Sequence, residues 1–96
     1  MLLDALRDRK EEIAALGHRF GARRIRVFGS VARGEDLPGS DIDFLVDLPR
    51  GYDLFGQRLP LAEGLANLCQ RPVDVVPEHE LNRHIRAHVL AEAVDL

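Results

Sequence analysis

The segment Asp41 to Leu48, which reads DIDFLVDL, constrains the fold of this chain more than any other stretch. Successive side chains of a β-strand point to opposite faces, so Asp41 and Asp43 share one face. The apolar Ile42 and Phe44 share the other, which predicts a strand with one face in the core. The two carboxylates would then lie side by side at the start of the strand, where they repel each other unless cations lie between them.

The remaining patterns predict a small sheet covered by helices. Helical spacing of apolar residues predicts helices over 2–20, 53–70 (its main part starting at Pro60) and 78–93. Alternation predicts further strands over 24–28 and 71–76, with a short helical turn over 31–33 and a loop over 34–40. The order of helix, strand, short helix, strand, helix, strand, helix predicts an α/β (α+β) fold with a small mixed sheet. A chain of 96 residues suits a single domain over residues 1–96.

Composition excludes several functional classes. Thirteen basic and sixteen acidic residues give a net charge of −3, so the chain is not a polycation of the kind that binds nucleic acid. No apolar run is long enough to span a membrane, and the charged first residues do not resemble a signal peptide, so we expect a cytoplasmic protein. The single cysteine, Cys69, excludes an internal disulfide, and the single lysine, Lys10, excludes a Walker A phosphate-binding motif.

A third carboxylate, Asp74, lies in the last predicted strand between Val73 and Val75. If that strand neighbours the one that begins at Asp41, all three aspartates reach one patch. Mg²⁺ prefers oxygen ligands and takes them from one or two carboxylates, water and phosphate. Three carboxylates on adjacent strands predict a site for two Mg²⁺ ions about 4 Å apart, with Asp74 as ligand or general base.

A Gly-Ser pair supplies the other half of such a site. Gly29 lets a phosphate approach the backbone, and Ser30 offers a hydroxyl and helical N–H groups to an anion. Arg33, one turn further, can neutralise charge on a β- or γ-phosphate, with a solvated arginine as the alternative. Ser40 either touches the nucleotide or merely caps the start of the strand.

The motif as a whole resembles that of a known superfamily. The segment GSVARGEDLPGSDID has Gly-Ser, ten intervening residues and Asp-x-Asp, which is the signature of the DNA polymerase β-like nucleotidyltransferases. The detail RVFGSVARGE…SDIDFLV is similar to the minimal members, the MNT proteins. The resemblance covers Arg24 to Asp74. It implies a polymerase β palm-like fold, phosphate contacts from Gly29 and Ser30, and Asp41, Asp43 and Asp74 as catalytic metal ligands.

The resemblance also implies a partner. Minimal members stand beside a helical HEPN protein, an RNase-type toxin, and act as its antitoxin, in some cases by transferring AMP from ATP onto a toxin tyrosine. We therefore expect a metal-dependent protein adenylyltransferase with ATP as substrate and a HEPN toxin as partner. Two alternatives stay open: an antitoxin that masks the toxin without catalysis, and a regulator that binds nucleotide without turnover.

Other polar groups have simpler interpretations. His84 and His88 are four residues apart and would share a helix face, but His79 and His84 are five apart rather than the four of a zinc-protease helix, and all three are expected at the surface or the edge of the core. The arginines of residues 23–26 form either a solvated edge or a contact with RNA or an acidic partner, which leaves nucleic-acid binding open. Tyr52 and Phe55 either pack or stack on a nucleobase.

Overall fold

A computed structural model describes all residues 1–96 and contains one four-stranded mixed sheet. In spatial order the strands are β3 (Val73–Pro77), β2 (Ile42–Val46), β1 (Ile25–Phe28) and β4 (Val94–Asp95). β1 is antiparallel to both of its neighbours, β2 and β4, whereas β2 and β3 are parallel. The predicted α+β architecture and the three expected strands are confirmed. The sequence did not predict β4, because a strand of two residues is too short to show a pattern.

Five α-helices accompany the sheet: α1 (Leu2–Asp8), α2 (Lys10–Arg19), α3 (Gly29–Arg33), α4 (Leu59–Cys69) and α5 (Arg83–Glu92). The helix expected over 2–20 is wrong in one respect, because it breaks at Arg9. Because of this break, α1 contacts α3 and α2 contacts α4, whereas one straight helix would not contact both.

The two later helices also begin differently from the prediction. The helix expected from residue 53 starts as a π-helical turn over Leu54–Arg58, and α4 proper begins at Leu59 with Pro60 in its first turn. The last helix starts at Arg83 rather than at residue 78. A 3₁₀ turn, Glu78–Glu80, comes first, and the side chain of Asn82 then caps α5 by accepting a hydrogen bond from the His84 amide at 2.8 Å.

The core lies between one face of the sheet and the helices that cover it. Ile42, Phe44 and Val46 are completely buried there, as strand alternation predicts. Leu61 and Leu65 of α4 complete the same cluster. Burial of this apolar face fixes which way β2 can lie, so the aspartates that alternate with these residues are held on the opposite face.

The opposite face is only partly covered. Leu45, which shares the face of Asp43, and Val89 of α5 are both buried but lie outside the main cluster. Arg26 of β1 pairs with Glu78 at 3.1 Å, which ties this face to the 3₁₀ turn that precedes α5. α5 packs against α3, and its last residue, Glu92, bonds to the Gly29 amide beside the start of β2.

Candidate active site

Two of the three predicted carboxylates are neighbours across the sheet. β2 and β3 pair in parallel register with Asp43 and Asp74 as direct partners, so both side chains lie on the same face. Asp41 lies just before β2 and by alternation belongs to that face as well. The start of β2 is held to its neighbour by a 3.0 Å hydrogen bond from the Ile42 amide to the Pro72 carbonyl. The neighbouring strands on which the predicted cluster depended are thus present.

The electrostatics at Asp43 are those of a crowded anionic site. Burial raises the pKa of the Asp43 carboxyl, and the nearby charges of Asp74, Asp41 and Glu92 raise it further. Arg33 acts in the opposite direction and lowers it. Asp43 is half-buried, whereas Asp41 and Asp74 are exposed. Ionisation of Asp43 therefore costs free energy that a bound cation would offset.

Gly29 lies directly beside Asp43, because its predecessor Phe28 is the register partner of Asp43. Its φ of +75° is a backbone conformation that L-residues rarely adopt. A Cβ at this position would lie 3.2 Å from the Asp43 Cγ and would overlap the Oδ2 oxygen. Only glycine therefore allows the turn from β1 into α3 to pass this close to the carboxylate.

Arg33, at the end of α3, is held by two carboxylates. Its Nε donates to Glu35 at 3.0 Å, and its Nη1 donates to Glu92. Glu92 also accepts a 2.9 Å hydrogen bond from the Gly29 amide. These bonds lower the pKa of Glu92 against the effect of its burial and raise that of Arg33. A cavity of about 360 Å³ opens beside the pair, lined by Ala32, Arg33, His88, Ala91 and Glu92.

Sequence reasoning missed Glu92 entirely. Glu92 is the last residue of α5 and is distant in sequence from the Gly-Ser motif. The sequence pattern alone predicts an ordinary solvated side chain for a glutamate at this position. The packing of α5 against α3 brings it to the site. No local signal marks such a residue, because its role depends on where its helix packs.

The two serines occupy different positions. Ser30 is half-buried in the first turn of α3, next to Gly29. The Ser40 hydroxyl instead accepts a 2.9 Å hydrogen bond from the Leu37 amide and closes the loop before β2. Arg71 holds the same loop through the carbonyls of Leu37 and Ser40. The geometry of Ser40 matches the capping alternative, and a nucleotide contact by Ser40 stays a prediction.

The aspartates fit a divalent metal by chemistry and placement, although they are not preassembled around one point. No group of three or more His, Cys, Asp or Glu side chains converges as a ready metal cage. Mutual repulsion favours spread rotamers for three carboxylates, and Asp41 and Asp74 are exposed, so burial does not fix their rotamers. Oxygen donors on adjacent strands are the ligand set that Mg²⁺ prefers.

The remaining polar groups lie outside the carboxylate cluster, although His88 lines the cavity beside Arg33 and Glu92. His84 and His88 are exposed, and His79 sits beside Tyr52 with ring centroids 5.9 Å apart. Tyr52 lies beyond the end of β2, at the opposite end from Asp43, where its hydroxyl donates to Glu80 at 2.5 Å. This placement favours packing over nucleobase stacking for Tyr52.

The arginines of residues 23–26 do not form a free basic patch. Arg23, Arg24 and Arg26 each pair with an acidic side chain, namely Asp47, Asp95 and Glu78 respectively. A second cavity, of about 370 Å³, lies away from the carboxylates, between α2 and the β1–β4 edge, so the presence of a cavity does not by itself identify the carboxylate site.

None of the helices has the length and apolar character needed to cross a lipid bilayer.

Comparisons with known proteins agree with this geometry. Residues 9–96 match the nucleotidyltransferase domain family. A Thermococcus cleftensis protein named protein adenylyltransferase MntA is 42% identical over 82% of this chain and 79% of its own length. A Methanocaldococcus jannaschii protein with the name "Putative protein adenylyltransferase MJ0435" is 32% identical over 91% of this chain and 92% of its own length.

Solved structures lead to the same group. A structure described as a minimal nucleotidyltransferase superposes with a TM-score of 0.86 and 44% identity, covering 100% of this chain and 97% of its own. A toxin–antitoxin structure with AMP-PNP superposes with a TM-score of 0.75 and 25% identity, covering 90% of this chain and 70% of its own. The family predicted from the Gly-Ser and Asp-x-Asp motif is confirmed: this chain belongs to the nucleotidyltransferase domain family and is similar over its whole length to a minimal nucleotidyltransferase structure.

Proposed function

We propose that this protein transfers an adenylyl group from ATP onto a partner protein, a HEPN-family toxin, and thereby acts as its antitoxin. The observation that carries the proposal is the pairing of Asp43 with Asp74 across β2 and β3, beside the turn at Gly29. Relatives named protein adenylyltransferase support the reaction, and the toxin–antitoxin structure with AMP-PNP supports the nucleotide and the kind of partner.

Asp41, Asp43 and Asp74 are the residues we assign as ligands of two Mg²⁺ ions. When bound, the ions neutralise the triphosphate and increase the acidity of the attacking hydroxyl. The anionic surroundings that raise the pKa of Asp43 favour such ions, because a divalent charge there lowers the cost of keeping the carboxylate ionised.

The chain's own groups then have separate tasks. Gly29 leaves space for phosphate oxygens next to the carboxylates, and Ser30 and Arg33 bind the β- and γ-phosphates. The acceptor hydroxyl oxygen bonds to the α-phosphorus while the bond to the bridging oxygen breaks and pyrophosphate leaves. Asp74, the more exposed of the paired aspartates, accepts the hydroxyl proton.

Asp41 and Asp74 are exposed, so an acceptor on another molecule can reach the carboxylate face. A tyrosine hydroxyl on a partner protein suits this opening. The pairing of Arg23, Arg24 and Arg26 with acidic side chains favours a protein acceptor over RNA. An ATP-dependent transferase with one unpaired cysteine, Cys69, suits the cytosol.

The test is transfer of label from α-labelled ATP to the co-expressed partner in the presence of Mg²⁺. We expect labelling by the wild-type protein, its loss on chelation with EDTA, and its loss in Asp41→Asn and Asp43→Asn. Asp47→Asn is the matched control, because Asp47 follows the same strand but pairs with Arg23 away from the site. Labelling that survives in both site variants excludes this mechanism.

Masking of the toxin without catalysis is separated by a growth assay. If transfer neutralises the toxin, Asp43→Asn fails to protect cells although it still co-purifies with the partner. Full protection by Asp43→Asn assigns the antitoxin effect to binding instead. Mass spectrometry of the partner for added AMP decides the same point chemically.

A further inference from the structure

We propose that Glu92 is a positioning residue that holds Arg33 ready for the triphosphate. The inference rests on the proposed function, since it concerns how the same site binds ATP. It starts from a pair of bonds: one carboxylate oxygen of Glu92 accepts from the Gly29 amide at 2.9 Å, and the other accepts from Arg33 Nη1. One carboxylate thus connects the turn beside Asp43 to the arginine at the end of α3.

Burial and anchoring distinguish Glu92 from the other partner of Arg33. The Glu92 side chain is 11% exposed and is fixed by a backbone amide, whereas the Glu35 side chain is 65% exposed. A buried carboxylate that a backbone amide already anchors restrains the guanidinium more than an exposed one does, because less side-chain entropy remains to be lost when the pair forms. The position of Arg33 is therefore set by Glu92.

Arg33 keeps donors for a ligand after both bonds are made. A guanidinium has five N–H groups. Nε is used by Glu35 and Nη1 by Glu92, which leaves Nη2 without a partner in the chain. The side chain is 44% exposed and lines the cavity beside Glu92. The two N–H groups of Nη2 are thus available to phosphate oxygens while Nε and Nη1 are held.

The shared contact with the Gly29 turn places this pair at the carboxylate site. Glu92 accepts the 2.9 Å hydrogen bond of the Gly29 amide and also binds Arg33, so both charged groups of the pair lie beside the turn that borders Asp43. Gly29, which Glu92 anchors, directly borders the same carboxylate. Glu92 therefore sets the geometry of the triphosphate side of the site without contacting the reacting atoms.

The experiment compares binding of fluorescent ATP and fluorescent AMP analogues with Mg²⁺ to the full chain. We expect Glu92→Gln to raise the Kd for the ATP analogue about tenfold, the size of one charge-assisted hydrogen bond. The Kd for the AMP analogue stays unchanged, because AMP lacks the phosphates that Arg33 binds. Glu35→Gln is the matched control and changes the ATP value by less than about twofold, as expected of an exposed partner.

A double-mutant cycle assigns the effect to Arg33. In an Arg33→Ala background, Glu92→Gln is expected to cause no further loss of ATP binding. Equal weakening of ATP and AMP, a persistent effect in that background, or tighter ATP binding by Glu92→Gln would each overturn the inference. The last outcome would mean that Glu92 competes with the triphosphate for Arg33.

Folding and the proposed function are controlled separately. Urea unfolding checks each variant, and Glu92→Asp, which keeps the charge on a shorter side chain, replaces Glu92→Gln if that variant does not fold. It is expected to show the same selective loss of ATP over AMP, and its absence would overturn the inference. If the wild-type chain binds ATP but the Glu92 variants bind it equally well, the positioning role fails and the adenylyl transfer stands. If the wild-type chain binds no nucleotide, both fail.

Discussion

Replacement of Gly29 by alanine should damage both the fold and the site, for two separable reasons. The φ of +75° costs an L-residue about 1–2 kcal/mol. The new Cβ would also overlap the Asp43 carboxylate, and a displaced rotamer there costs about 0.5–1.5 kcal/mol more. We therefore expect the free energy of unfolding to fall by about 2–3 kcal/mol, which lowers the Tm of a domain of this size by about 10–20 °C.

The same substitution should reduce adenylyl transfer by about 100-fold, because Asp43 is pushed from its place beside Asp74 and a misplacement near 1 Å has effects of this size. Gly51→Ala is the matched control. Gly51 has a similar φ of +79°, but no atom lies within 4 Å of its added Cβ. It should lose only the backbone contribution, about 1–2 kcal/mol, and keep full transfer.

Urea unfolding and the labelling assay on both alanine variants measure the two effects side by side. The difference between Gly29→Ala and Gly51→Ala isolates the contact with Asp43 from the backbone strain that both share. Equal stabilities together with full transfer by Gly29→Ala would refute the argument that this turn must be glycine because of the carboxylate beside it.

Three further predictions concern single groups. Because the pKa of Asp43 is raised in the folded chain, its ionised form lowers the stability of the fold. Asp43→Asn should therefore abolish transfer yet increase the free energy of unfolding at pH 7, and this gain should disappear below the ordinary carboxyl pKa of 3.8. A variant that urea unfolds more easily at pH 7 would contradict this. Tyr52→Phe removes a hydroxyl that donates to Glu80 and accepts from Arg58, so the free energy of unfolding should fall by about 1–2 kcal/mol while transfer is unchanged. Loss of transfer would instead place Tyr52 at the active site. Burial raises the pKa of the Cys69 thiol, so the thiol should react with a disulfide reagent at pH 7 more slowly in the folded chain than in a control unfolded in urea. Equal rates would show that the thiol is freely accessible.

Much of the site could be predicted because its signals are local. Alternation along residues 41–48 separated the buried Ile42 and Phe44 from Asp41 and Asp43 without knowledge of any other strand. The Gly-Ser pair marked the turn after β1 for the same reason, since a glycine at a tight turn and a helical pattern after it are short-range features.

Several boundaries could not be predicted, because packing decided them. The break at Arg9 interrupts a continuous helical pattern, and only the separate contacts of α1 and α2 explain it. β4 is two residues long, too short for any periodicity, and exists because β1 offers it a free edge. The Asn82 cap was readable in principle, but the preceding helical spacing from Glu78 onward obscured it.

The amino-acid sequence by itself determined the chemistry available: carboxylates on one face of a strand, a glycine turn before them, and an arginine one helical turn later. The tertiary structure alone decided which of these groups meet. Asp74 becomes the partner of Asp43 through the parallel register of β2 and β3, and Glu92 reaches Gly29 and Arg33 through the packing of α5. The reason is physical, because side-chain periodicity is set by each residue's neighbours in the chain, whereas strand order and helix docking are set by burial of the whole apolar face.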